Sequence, residues 1–342
     1  EDGLCAKWMP RKGTKANIIR RYLRVSPKSY RKLLVGLTNV VETKMCAKDW
    51  SSIEYSKLPS LASSRYQKSF MNNDEERYEE YKRALVDGKT TINAGAVYPY
   101  DITKSIKFGG ERDVAQAQWE SLPNYMEGIS ERVLPVVDVS GSMGNSAGNN
   151  GNVTCMDVST SLGLYISERN EGVFKNAFIT FSSKPKLQLL EGSLADRLTQ
   201  LERADWGMNT DLQATFKLIL DQAVKHDVSV SEMPTKVLIL SDMEFDSAIN
   251  GDYDSVSDWN PTAQEMIKGM YEEAGYKMPG IVYWNIQSRQ DNVPTSFDEM
   301  GTALVSGFSP SIMKSILSCQ DMTPYNMMME TIGSARYEPI KV

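Results

Sequence analysis

The stretch Val133–Met143, VLPVVDVSGSM, decides how this chain is read. Its first residues are apolar and mostly β-branched, a run that suits a strand buried on both faces. It reaches Asp138, and two serines follow at alternate positions, Ser140 and Ser142. Working outward, Phe174–Phe181 (FKNAFITF), Lys236–Ser241 (KVLILS), Gly280–Asn285 (GIVYWN) and Thr302–Gly307 (TALVSG) read as further strands. Residues 153–168, 211–226, 262–274 and 309–318 carry helical periodicity between and after them. Such alternation predicts an α/β domain, a doubly wound, mostly parallel sheet with helices on both faces. Pro135 is awkward inside a central strand, because it brings no N–H to the ladder.

In a sheet of this kind ligands bind outside the carboxyl ends of the strands. Asp138 and Asp242 both stand at such ends, and Ser140, Ser142 and Thr210 add hydroxyls from the adjoining loops. Two carboxylates and three hydroxyls suit a hard divalent cation, Mg²⁺ first, which takes oxygen ligands and keeps some water. Each residue also has an ordinary reading. Serine and threonine cap helices, and an aspartate ends a strand. Their convergence on one edge of one sheet favours the metal.

The chain has 342 residues, about right for two domains. Mean hydropathy is −0.39, and no apolar run approaches the roughly 18 residues of a membrane helix. The four cysteines, Cys5, Cys46, Cys155 and Cys319, form no zinc-type pair. His226 is the single histidine, so multi-histidine metal sites are excluded and any Ser-His-Asp chemistry would depend on it. No G-x-x-x-x-G-K-[ST] loop is present. An enzyme is therefore not expected. The chain opens at Glu1-Asp2-Gly3 without Met or signal peptide, and is read as a cytoplasmic piece of a longer protein.

Charge separates the halves. Residues 1–104 carry 20 Lys and Arg against 12 Asp and Glu, whereas 105–342 carry 18 against 32. Between 7 and 41 stand ten basic residues and no acidic one. The same region reads as helices. One starts at Ser26-Pro27 and carries a stripe of Tyr30, Leu33, Leu34, Leu37, Val40 and Val41; a shorter one before it holds Ile18, Ile19, Tyr22 and Leu23; a third runs from Asn73 or Asp74 to Asp87-Gly88. The cations imply an anionic partner, or else a solvated helical face or a surface that docks on the acidic C-terminal half. For RNA the candidate contacts are Arg11, Lys12, Lys15, Arg20, Arg21, Arg24, Arg31 and Lys32. Trp8, Tyr22 and Tyr30 lie among them, a combination suited to single strands, although both tyrosines also fit apolar stripes.

Asp138-Val-Ser-Gly-Ser-Met, Asn209-Thr210-Asp211 and Leu240-Ser-Asp242 together resemble the metal-ion-dependent adhesion site of von Willebrand factor A domains. The resemblance implies Asp138, Ser140, Ser142, Thr210 and Asp242 as metal residues, the hydroxyls direct, the aspartates often through water, and a carboxylate from a protein partner at the open position. Gly144–Asn152 (GNSAGNNGN) makes a longer loop after the motif than that family suggests. Val41-Glu-Thr-Lys-Met, Asp74-Glu-Glu-Arg-Tyr and Ile92-Asn-Ala-Gly-Ala-Val-Tyr-Pro resemble a TROVE-related, Ro-like family that joins a helical, HEAT-like region to such a domain. It implies a helical region over 1–104, a connector over 105–130 and the A-type domain over 131–342. The implied function is binding of RNA by the helices and of protein by the metal. The competing expectation is an assembly protein that uses the metal for subunit contacts, without RNA.

Overall fold

The structure is a computed structural model and describes residues 3–147, 151–181, 185–203, 211–242, 261–287 and 302–307, with residues 325, 328–329 and 332–333. The chain divides into two compact units, Glu1–Ala96 and Val97–Val342.

The first unit is helical: α1 (Gly3–Trp8), α2 (Gly13–Tyr22), α3 (Pro27–Leu37), α4 (Val41–Cys46), α5 (Ser60–Arg65), α6 (Gln67–Asn73) and α7 (Glu75–Val86). Helix α3 starts as its sequence requires. The Ser26 hydroxyl accepts from the Ser29 N–H at 3.1 Å, and Pro27 takes the first turn, where its missing N–H costs nothing. The helix stops at Leu37 instead of running to Val41. Thr38 Oγ1 donates to the Leu34 carbonyl at 2.5 Å, and the chain restarts as α4. Ala6, Ala16, Tyr30 and Leu34 form one core. The rings of Tyr55, Phe70 and Tyr78 form another, with edge contacts of 5.1 Å from Tyr55 to each partner.

The stripe expected on α2 is not the buried one. Ala16 faces α3, because a small side chain lets the helices approach closely. Ile19 is half-buried, and Ile18, Tyr22 and Leu23 are exposed. Leu33 of α3 is exposed as well.

The second unit opens with α8 (Pro99–Lys107) and α9 (Arg112–Glu120). Then follow β1 (Val133–Asp138), α10 (Cys155–Arg169), β2 (Ala177–Phe181), β3 (Lys186–Leu189), α11 (Leu194–Glu202), α12 (Leu212–Lys225), β4 (Lys236–Ser241), α13 (Pro261–Glu273), β5 (Gly280–Asn285) and β6 (Thr302–Ser306). The sheet order is β3-β2-β1-β4-β5-β6, and every neighbouring pair is parallel except β2 with β3. Fold class and sheet type are those expected. Pro135 is paired with Leu238 inside the β4 ladder, whereas the β2 ladder begins only at Val136, so its missing N–H is tolerated on the β2 side.

All six residues of β1 are buried, as a strand covered on both sides demands. On one face Leu134, Val136, Val237 and Ile239 pack with Phe216 and Ile219 of α12 and Ile267 and Tyr271 of α13. On the other, α10 lies so close that a Cβ on Gly163 would stand 2.6 Å from Val137 Cγ2 and 2.7 Å from Phe178 Cε2.

The unit boundary falls after Ala96, eight residues ahead of 104, and 105–130 is not a bare connector. Lys104 and Lys107 of α8 approach Asp157 of α10 at 3.9 and 3.5 Å. The fully buried Trp119 of α9 donates from Nε1 to Glu168 at 2.5 Å. Arg169 lies 4.0 Å from the centroid of the Tyr165 ring. The helix expected over 309–318 lies outside the described residues. No helix among the described residues is long and apolar enough to cross a membrane.

Candidate metal centre

Strands β1 and β4 are parallel neighbours at the point where the sheet order reverses, with β2 and β3 on one side and β5 and β6 on the other. Connections leaving these two strands diverge and open a crevice, the usual ligand position in a doubly wound sheet. Asp138 ends β1 and Ser241 ends β4, with Asp242 next; all three are buried. The Ser241 hydroxyl donates to Asp138 Oδ2 at 2.5 Å, and the Ser140 N–H donates to Asp138 Oδ1 at 2.8 Å. Ser140 Oγ and Ser142 Oγ stand 3.0 Å apart.

The turn that carries these serines is a short 3₁₀ segment, Gly141–Gly144, anchored by the buried Met143. The Gly/Asn-rich loop after it is closed at its base. The Cys155 N–H donates to the Asn145 carbonyl at 2.9 Å, Ala147 N–H to the Val153 carbonyl at 2.7 Å, and Ser146 bridges Thr154.

Burial pushes the Asp138 carboxyl up to about 6, and the negative charge of Asp242 adds to the rise. The hydrogen bonds from Ser241 and Ser140 pull it back. No described Lys, Arg or His forms an ion pair with Asp138. Two buried carboxylates with hydroxyls beside them make an oxygen-rich set at these strand ends. Among the described residues, the donors of Asp138, Ser140, Ser142, Ser241 and Asp242 are oxygens, which suit a hard divalent ion. Both Asp138 oxygens already accept one hydrogen bond each, so Asp138 is suited to orienting a metal-bound water, while the paired serine hydroxyls are suited to direct ligation. Among the described residues no group of three or more His, Cys, Asp or Glu is placed to hold a metal, so a site here depends on its hydroxyls.

Thr210 lies outside the described residues. The adjoining Asp211 caps α12, its Oδ1 accepting from the Ala214 N–H at 2.9 Å. His226 is exposed at the C-terminal end of α12. Sequence reasoning gave Ser241 no role. The signal was available in the pairing of two strands that each end on a polar residue.

Of the eight cations proposed for RNA, seven are exposed and Arg20 is half-buried. None forms an ion pair with a described residue. Arg11 Nη2 donates to Thr38 Oγ1 at 3.1 Å, and Arg20 Nε to Asn17 Oδ1 at 2.9 Å. Lys7, by contrast, pairs with Glu42 at 2.5 Å.

A family model described as "Domain of unknown function (DUF2828)" matches residues 3–129. An uncharacterised protein of Acanthamoeba polyphaga mimivirus is 26% identical over 366 residues, covering 98% of this chain and 61% of the viral one. The chain thus spans about three fifths of that relative's length. Among solved structures, the chain is similar to the Ro (RSR) protein of Deinococcus radiodurans, at 14% identity and a TM-score of 0.44, over 97% of this chain and 73% of that one. It is also similar to the VWA domain of SpRpn10, at 13% identity and a TM-score of 0.32, over 56% of this chain and 95% of that one. The second unit carries the most extensive family match, to "Domain of unknown function (DUF7788)" over residues 132–337, and the chain belongs to that family.

Proposed function

We propose that the chain is a non-enzymatic binding protein with two sites. A divalent cation, Mg²⁺ by preference, is held by Ser140, Ser142 and Thr210, with Asp138 and Asp242 reached directly or through water. Bound there, it offers a coordination position to a carboxylate from a protein partner. The basic helical region binds RNA phosphates through about half of Arg11, Lys12, Lys15, Arg20, Arg21, Arg24, Arg31 and Lys32. The compartment we propose is the cytoplasm.

One observation carries the metal reading: two buried aspartates and a facing pair of serine hydroxyls at the switch point between β1 and β4. Thermal unfolding against Mg²⁺, with EDTA as reference, tests it. A ligand that binds only the folded state stabilises by about 2.7 kcal/mol at roughly 100 times its Kd. The melting temperature should climb with Mg²⁺, and Ser140→Ala with Ser142→Ala should flatten the climb. A flat response in wild type at millimolar Mg²⁺ refutes the site.

A second reading draws on the opposite charges of the two halves: the basic face of one copy docks on the acidic portion of another, and the metal joins subunits. The two readings part on RNA. Phosphate contacts give binding that falls with salt at about −0.7 in log–log slope per contact on a single strand. Four contacts predict a slope of roughly −3. No RNA binding at low salt, with Mg²⁺-dependent growth in light-scattering mass, supports assembly instead.

A further inference from the structure

The aromatic residues interleaved with the basic stretch divide sharply. Tyr30 is core at 2% exposure, whereas Trp8 and Tyr22 are 79% and 87% exposed. On α2 the side opposite Ala16 carries Thr14, Ile18, Arg21 and Tyr22 by helical spacing, with Lys15 at its border. Ile18 and Tyr22, four residues apart, form an apolar strip among cations, and no described core covers it.

The end of α2 adds an independent feature. Arg24 has φ of 54°, in the left-handed region. Its N–H donates to the Arg21 carbonyl and the Val25 N–H to the Arg20 carbonyl, both at 3.0 Å, which is a helix stop that glycine usually fills. An arginine there costs stability that glycine would not. Arg24 is exposed and its side chain makes no hydrogen bond or ion pair with a described residue, so no local contact offsets that cost.

Resting on the RNA reading above, we propose that the outer face of α2, with Tyr22 at its centre and Arg21 and Arg24 beside it, is a stacking platform for an unpaired base. The helical unit then takes single-stranded RNA in preference to duplex. Cations on phosphate are indifferent to pairing, but an exposed ring gains only from a base whose face is open. Trp8 supplies a second exposed ring, with Lys7 Nζ 5.7 Å from its centroid. Charge and ring together argue for nucleic acid as the occupant: exposed Lys15, Arg21 and Arg24 fit a polyanion, and the exposed Tyr22 ring fits an open base.

The test measures binding of the full chain to a labelled oligoadenylate of about 12 nucleotides, within the usual span of such sites, and to a hairpin of matched charge. The single strand should bind more tightly. Tyr22→Ala should weaken it by roughly 5- to 100-fold, with the salt slope and hairpin binding unchanged, and Tyr22→Phe should retain the wild-type affinity. Arg24→Gly should raise the melting temperature while weakening both RNAs. Circular dichroism checks that each exposed-site variant folds. Equal affinity for hairpin and strand overturns the platform. So does a Tyr22→Ala protein that binds like wild type while Arg20→Glu with Arg21→Glu abolishes binding; in that case the phosphate reading survives alone. If wild type binds neither RNA at low salt, the RNA reading falls and the platform with it.

Discussion

Asp138 bears a conflict that a cation or a proton can relieve. Its carboxyl is buried beside Asp242 and titrates well above the usual carboxylate range. Asp138→Asn removes the charge while keeping the volume and one acceptor. The metal-free protein should then melt a few degrees higher than wild type, and the response to Mg²⁺ should vanish; a Tm series with and without EDTA reads both. Ser241 is a positioning residue in this scheme, since its hydroxyl touches Asp138. Losing a buried hydrogen bond to a charged group costs about 1–3 kcal/mol. Ser241→Ala should therefore lower stability in urea unfolding by about that amount and weaken the apparent Mg²⁺ affinity without abolishing it. If Ser241→Ala erases the response as fully as Ser140→Ala with Ser142→Ala does, Ser241 is a ligand and the assignment of roles changes.

Helix α10 shows why packing overrules propensity. In an isolated helix, replacing glycine by alanine gains about 1 kcal/mol. At Gly163 the new methyl would meet Val137 and Phe178 at 2.6 and 2.7 Å, and overpacking of a tight core costs about 1–3 kcal/mol. Gly163→Ala should accordingly lower the urea midpoint, although the helix itself prefers alanine. The same contest explains which elements were legible in the sequence. Strands β1, β4 and β5 are continuous apolar runs with sharp polar ends, so their bounds could be read to within a residue. Strand β3, KLQL, has four residues at an exposed antiparallel edge and leaves no such run. Helix α11 announced itself through the Ser193–Asp196 capping box and Leu194, Leu198 and Leu201, but its short span hid it between longer signals. On α2 four apolar residues seemed to define a stripe, and Ala16, with almost no hydrophobic weight, won the interface because it is small. Of the candidate site, the two aspartates and two serines could be placed at strand ends from sequence. The hydroxyl of Ser241 could not, because its role depends on which strands are neighbours.

At the scale of the whole molecule, the division after Ala96 makes a testable statement about independence. Helices α8 and α9 belong with the sheet, and Trp119, Val114 and Ala115 of α9 are fully buried. A chain cut to residues 97–342 should express as soluble protein, keep the Mg²⁺-dependent rise in Tm and bind no RNA. A cut to 131–342 removes the α8 and α9 segment that covers the outer side of α10, exposing Tyr165 and the Arg169 side chain that stacks on it, and should aggregate. Comparing the soluble yields of the two pieces decides the matter. Equal behaviour would mean that α8 and α9 are dispensable wrapping.

The bond between Ser241 and Asp138 spans 103 residues of chain. While the protein is being made, Asp138 emerges long before its counterpart, and its carboxylate stays hydrated until β4 lays Ser241 beside it. If the proposed cation binds, it does so only once β4 lies beside β1, because Ser241 and Asp242 arrive with that strand. A partner that required the proposed ion would therefore pass over unfinished chains.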